Sequence, residues 1–195
     1  MVRVLGVGSY AVVVEVQRGT ERSAAEVMDK SKIPEHHKPS LCREKAVWRS
    51  VDHENVVRLL NVFEDERFLV LQCELVDGCD LFQLLMKFES DSGLSDRTAQ
   101  FFARRVALAL QYLHRNLIAH RDIKLENILF DSATGAVKLC DFGFAQKLES
   151  RNELVERHCG TVEYESPEIL KMKSHSPLCS DIWAFGVLLH YTLTQ

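Results

Sequence analysis

The sequence has no two cysteines in a Cys-x-x-Cys spacing, no apolar run long enough to cross a bilayer and no excess of positive charge. Each absence excludes a class of function. The six cysteines (Cys42, Cys73, Cys79, Cys140, Cys159 and Cys179) are scattered, which argues against a disulfide framework or a zinc ribbon and for a reducing, cytosolic or nuclear compartment. The eight histidines are scattered too, and the adjacent His36 and His37 suit a loop better than a metal site. The longest apolar stretch, IWAFGVLLHYTL, is too short to span a membrane and contains a histidine. A formal net charge of -4 favours neither nucleic acid nor an anionic membrane as partner. No charged-then-apolar leader follows Met1, and there is no repeat or low-complexity tract. What remains, 195 residues with 46% hydrophobic side chains, is the composition of a soluble globular protein of one domain or two small lobes.

The order of patterns is β first and α later. VRVL, VVVEVQ and SAAEVM are short β-branched runs separated by GVGSYA and RGTER, which predicts three antiparallel strands within residues 2–30. Pro34 and Pro39 read as breaks, and SLCREKAVWRSV has helical spacing with Leu41, Val47 and Val51 on one face. VVRLLNVFED and ERFLVLQCEL predict two more strands around an acidic turn. From Asp80 the pattern turns helical: DLFQLLMKF, then TAQFFARRVALALQYLHRN with Ser95 and Asp96 as candidate caps, and finally SDIWAFGVLLHYTLT. Short β pieces recur at NILFD and AVKLCD. Residues 1–75 are therefore expected as a β-rich unit with one helix, 76–79 as a linker and 80–195 as a mainly helical unit.

Four segments carry chemistry. In LGVGSYAVVV, Gly6 and Gly8 form a turn between strands, where backbone N–H groups can cradle phosphate; an ordinary hairpin is the alternative, and a dinucleotide fingerprint is disfavoured because a strand follows. In IAHRDIKLENILF, Asp122 can accept a hydroxyl proton, Lys124 can neutralise a phosphate and Asn127 can ligate a metal. In LCDFGFA, Asp141 stands at a strand end, as a Mg²⁺ ligand would. CGTVEYESPEIL and SDIWAFG follow in order.

Taken together, HRDIKLEN, DFG, GTVEYESPE and DIW resemble a protein kinase of the Ser/Thr type, over nearly the whole chain. The resemblance implies an α+β, bilobal fold, with a small β-rich N-lobe carrying one helix and a mainly helical C-lobe that lacks its last helices. It implies ATP and Mg²⁺ as cofactors and a protein as substrate or partner. Asp122 then matches the acid that orients the substrate hydroxyl, Lys124 the lysine that steadies the transferred phosphoryl group, and Asn127 and Asp141 the Mg²⁺ ligands. Gly6, Gly8 and Ala11 match the phosphate-covering loop, with Ala11 where the third glycine usually stands. Val13, Ala24 and Leu129 match the adenine sandwich, and Cys73, Glu74, Leu75 and Val76 the hinge. Glu44 matches the helix acid that pairs with a strand lysine. Trp48, Leu59, His120, Phe142 and Asp181 match a stack and its anchor between the lobes, with plain core packing as the alternative.

The pattern breaks at Glu26. The family's strand reads Ala-x-Lys, and in AAEVMD the acid falls on the lysine. At an effective dielectric near 20, two unit charges about 4 Å apart interact by about 4 kcal/mol, and between Glu26 and Glu44 that interaction repels. Glu44 must swing out, one carboxyl must take a proton, or a cation must lie between them. Lys30, Lys32 and Arg18 are poorly spaced to substitute. Arg157 occupies the position, four before Thr161, where related kinases carry a phosphothreonine docked on the equivalent of Arg121, with Glu153 or Glu156 as candidate fixed charges. The resemblance also implies further helices beyond Gln195 and an arginine partner for Glu168. Three readings stay open: an active Ser/Thr kinase, a pseudokinase scaffold and an inactive truncated product.

Overall fold

Strand parity decides where Glu26 points. The structure, a computed structural model, describes residues 3–8, 10–35, 38–87 and 94–194, with residues 38–42 as backbone only. Strands β1 (Arg3–Val7), β2 (Ala11–Arg18) and β3 (Glu21–Asp29) form the predicted antiparallel meander. After α1 (Lys38–Arg49), β4 (Leu59–Glu64) and β5 (Phe68–Glu74) complete a five-stranded sheet in the order β1-β2-β3-β5-β4. In β3, Ala24, Glu26 and Met28 share one face, because successive side chains alternate. Across the ladder they meet Cys73, Leu71 and Leu69, all buried. Glu26 thus stands on the inner face of the sheet, opposite the fully buried Leu71.

Helix α1 covers that face with Glu44, Val47 and Trp48, buried at i, i+3 and i+4. The Trp48 indole Nε1 donates to the Val57 carbonyl at 2.6 Å. Pro39 does not break the chain as the sequence reading expects: it lies in the first turn of α1, where its missing N–H has no helical partner to lose. The Leu41 side chain, the His36–His37 pair and Phe88 lie outside the described residues.

Beyond β5 come β6 (Cys79–Asp80), α2 (Leu81–Met86) and α3 (Asp96–Arg115). Ser95 caps α3, accepting from Thr98 N at 3.3 Å, while Asp96 is its first residue and adds charge at the N-terminus. Ala99, Phe102, Val106, Ala109, Leu110 and Leu113 make the buried stripe that the periodicity predicts. Then follow β7 (Ile118–Ala119), β8 (Ile128–Asp131), β9 (Ala136–Leu139), β10 (Gln146–Lys147), α4 (Pro167–Leu170) and α5 (Pro177–Thr194). The expected linker is shorter than its sequence suggests, because Cys79 is already paired with Phe130 in a three-stranded sheet β6-β8-β9. Gly78 is obligatory there: a Cβ would sit 1.9 Å from the Phe130 carbonyl oxygen.

The strands and the helical part are joined by a short ladder. Val57 N donates to Leu139 O (2.9 Å), Leu139 N to Asn55 O (2.9 Å) and Asn55 Nδ2 to Val137 O (3.0 Å). One hydrophobic core runs through both parts, from Met28 and Leu69 to Phe102 and Leu188. Among the described residues, no helix is long and apolar enough to cross a membrane.

Candidate active site

Between the sheet and the helical part lies a cleft of about 610 Å³. Gly6, Gly8, Ala11, Val13, Ala24 and Glu26 line it from β1, β2, β3 and their turn, and Glu74, Leu75, Leu129, Asn127 and Asp141 line it from the other side. These eleven residues singled out in the sequence therefore meet in one cleft, together with Trp48, Cys73 and Val76. Gly8 N closes the glycine turn on Ala11 O at 2.8 Å. The Glu74 carboxylate is held through Oε1 by Lys138 Nζ and Arg58 N, both at 2.7 Å. Glu44, Asp122 and Lys124 are off the wall: Glu44 projects from α1, and the other two belong to the loop after β7.

That loop converges on one carboxylate. Asp122 is 4% exposed. Its Oδ2 accepts from Lys124 Nζ at 2.8 Å and from Asn127 Nδ2 at 3.1 Å, and its Oδ1 accepts from Thr161 Oγ1 at 2.8 Å. Lys124 Nζ also donates to Thr161 Oγ1 at 3.0 Å. Burial works against the Lys124 ammonium, but the hydrogen bond and charge of Asp122 outweigh it and raise its pKa. Asn127 spends both hydrogens of Nδ2 on Asp122, one on the carboxylate and one on the backbone carbonyl at 2.8 Å. Its Oδ1 has no hydrogen bond among the described residues. A carboxamide oxygen without a donor and the Asp141 carboxylate are the hard oxygen ligands that Mg²⁺ prefers, so the residues present fit that ion.

Backbone strain sits beside these groups. Arg121 (φ 68°) and Asp141 (φ 64°) are two of the four non-glycine residues in the left-handed region among the described residues, a conformation that persists only where its surroundings enforce it. Asp181 enforces the first, accepting from His120 N (2.9 Å), Arg121 N (2.8 Å) and His114 Nε2 (2.8 Å). Around the second, Phe142 is fully buried, stacked on Trp48 at 5.8 Å and edge-on to His120 at 5.3 Å. Asp141 Oδ1 accepts from Gly143 N at 3.0 Å. The expected stack and its anchor are thus present as packing, with Leu59 partly buried against the same core.

Glu44 does not swing out. It is 6% exposed, and among the described residues no hydrogen bond or ion pair reaches either its carboxylate or that of Glu26. Burial, then the charge of Asp141, pushes Glu26 up to about 7. Burial, then the charges of Glu26 and Asp141, pushes Glu44 up to about 8. Among the described residues no lysine compensates: Lys30 and Lys45 both pair with Glu64, at 3.2 and 2.7 Å, and Lys32 and Arg18 are exposed.

The segment after β10 is held without a phosphate. Arg121 Nη2 donates to the Arg157 carbonyl at 2.6 Å, and Arg121 Nη1 donates to Gln146 Oε1 at 2.8 Å. Gln146 Nε2 then donates to Glu153 Oε1 at 3.3 Å, while Glu153 Oε2 accepts from Glu149 N at 2.6 Å. Glu153 is thus linked to Arg121 only through the neutral Gln146 amide, and Glu156 is exposed. Sequence reading missed Gln146, His114 and the Thr161 hydroxyl, which bond Arg121, Asp181 and Asp122 from 25 or more residues away and obey no local spacing. Gln146→Leu removes the relay and is expected to cost about 1–2 kcal/mol and to speed proteolytic cleavage within residues 149–157; unchanged cleavage would make the relay ornamental.

Comparison with known proteins agrees with this geometry. The family model described as "Protein kinase domain" matches residues 1–195. The chain is 36% identical over 190 residues to a SNF-related serine/threonine-protein kinase of Rattus norvegicus, covering 96% of this chain and 25% of that protein. It is 36% identical over 191 residues to the cAMP-dependent protein kinase catalytic subunit of Dictyostelium discoideum (96% and 28%). It is 38% identical over 194 residues to a cGMP-dependent protein kinase of Eimeria tenella (97% and 18%). The chain spans roughly a quarter of the length of the first two.

Proposed function

The chain belongs to the protein kinase family, and from that premise we propose that it binds Mg-ATP in the cleft and transfers the γ-phosphate to Ser/Thr hydroxyls of a protein. The observation that carries this reading is the Asp122–Lys124–Thr161–Asn127 constellation. Asp122 Oδ1 takes one hydrogen bond, from Thr161, and a carboxylate oxygen has room for a second, which leaves a place for a substrate hydroxyl. Lys124 lies beside the same carboxylate, where its ammonium can meet the phosphoryl group in transit. Asn127 and Asp141 would hold magnesium, which supplies charge neutralisation between the phosphates when bound. Val13, Ala24 and Leu129 offer the adenine ring apolar walls, and Gly6 and Gly8 let the backbone approach the phosphates.

Asp122→Asn keeps the shape and removes the base. It is expected to lower phosphotransfer to a mixed Ser/Thr peptide substrate by 10²–10⁴-fold while leaving nucleotide affinity within a few-fold. Transfer that survives the substitution overturns the reading.

The unpaired Glu26–Glu44 carboxylates favour a second reading, a pseudokinase module that holds a nucleotide or a partner without turnover. Its signature in the same experiment is nucleotide binding with no transfer that depends on Asp122.

A further inference from the structure

Two acids face each other where an acid and a base would neutralise one another. Strand parity fixes Glu26 on the inner face of β3, and helical periodicity fixes Glu44 with Val47 and Trp48 on the inner face of α1. Neither can leave without exposing the apolar residues that share its face. Burying an uncompensated carboxylate costs several kcal/mol, and a third acid, Asp141, bears on both. Glu44 is nine-tenths buried and unpartnered among the described residues, and the charges of Glu26 and Asp141 bear on it. Glutamine or leucine at either position would relieve the repulsion; two buried carboxyls stay together only with a proton or a cation between them, and a cation is the one that also attracts phosphate.

We propose that Glu26, on the cleft wall, and Glu44, behind it on α1, bind a divalent cation, Mg²⁺ or Mn²⁺, between β3 and α1, completed by phosphate oxygens of the nucleotide. The ion does the work of the ammonium that stands in this strand in related chains: it offsets the helix acid and draws the phosphates inward. Among the described residues, no three histidine, cysteine or acidic side chains stand close enough to cage a metal by themselves. Magnesium does not require such a cage; it is commonly held by one or two carboxylates together with phosphate and water oxygens. The site therefore forms only when nucleotide is present, and it is additional to an ion on Asn127 and Asp141. This inference rests on the cleft taking a nucleotide, as proposed above.

The test counts Mn²⁺ by electron paramagnetic resonance on the full chain saturated with a non-hydrolysable ATP analogue, with analogue binding measured separately by equilibrium dialysis. The wild type is expected to hold one more Mn²⁺ per chain than Glu26→Gln/Glu44→Gln, which should still bind the analogue. The Gln side chains are isosteric and uncharged, and Glu26→Gln alone, at a half-buried strand position, repeats the count if the double variant does not fold. Equal counts with the analogue bound overturn this inference alone. No analogue binding by the wild type at any Mn²⁺ concentration overturns it together with the nucleotide reading.

Discussion

Glu26→Lys is expected to raise the melting temperature of the metal-free chain at pH 8 by about 6–10 °C. Both carboxyls have folded-state pKa values above the ordinary 4.5, near 7 for Glu26 and near 8 for Glu44. A carboxyl raised in this way costs nothing below about pH 4.5, where both states are protonated, and destabilises progressively as pH rises through its folded value. At 1.36 kcal/mol per pKa unit, the Glu26 share alone is roughly 3 kcal/mol above pH 7. For a chain of this size each kcal/mol moves the melting temperature by about 2–4 °C. The lysine replaces a carboxylate penalised by burial and by Asp141 with a cation that pairs with Glu44, whose pKa then falls. The gain should shrink at pH 5, where the wild-type acids are neutral, so scanning calorimetry at the two pH values reads the sign directly. Nucleotide affinity should also tighten by about 10- to 100-fold in the presence of chelator, the worth of one charge-assisted hydrogen bond to phosphate. With divalent metal present the gap should narrow, because the wild type then recruits its own cation. A variant that melts no higher at pH 8 than the wild type would mean that the two carboxylates do not meet.

That prediction depends on a residue whose oddness was visible from the letters alone. An acid inside AAEVMD, with alanine two places before it, is out of register with a strand that otherwise buries itself. Parity then places it inside. What the letters could not show is that Glu44 stays in as well, because its position depends on α1 packing over β3 and β5, contacts made across tens of residues. Local signals were read correctly where one residue decides the outcome: Ser95 caps α3, and Gly8 closes a turn, although Gly6, expected in that turn, already lies in β1, paired with Val13. They failed where geometry overrules identity. Pro39 reads as a break, yet the first turn of a helix accepts it. Asp96 reads as a cap, yet Ser95 already fills that role.

The loop after β7 shows the same division. HRDIKLEN brings Asp122, Lys124 and Asn127 within one loop, so their meeting is legible from spacing. Thr161 closes the cluster from 39 residues away, and the Arg121–Gln146–Glu153 relay crosses two loops. The two-residue strands β7 and β10 carry no periodicity at all, yet they set the loop's entry by pairing Ile118 and Ala119 with Lys147 and Gln146. Such features are settled by which backbone groups need partners in the interior, a requirement written in the whole fold.

Asp181 is where that requirement is most concentrated, and its loss should be the costliest single change. It is 1% exposed and its two oxygens accept three hydrogen bonds, two of them from consecutive backbone amides. Asp181→Ala leaves those buried N–H groups without acceptors, at about 1–3 kcal/mol each before relaxation, so a net loss of about 3–5 kcal/mol is expected in urea denaturation. The effect should also be local. Without its anchor, Arg121 has no reason to remain at φ 68°, and His120, which donates its backbone N–H to Asp181 and packs on Phe142, is released with it. Amide exchange should therefore accelerate at 120–122 and at 141–143 more than in α3. Asp181→Asn separates geometry from charge: it keeps one carbonyl acceptor but turns an NH₂ toward a backbone donor, so it should lose about half as much stability. If the alanine variant exchanges uniformly faster with no focus on those two segments, Asp181 is ordinary core and the loop that presents Asp122 is held by something else.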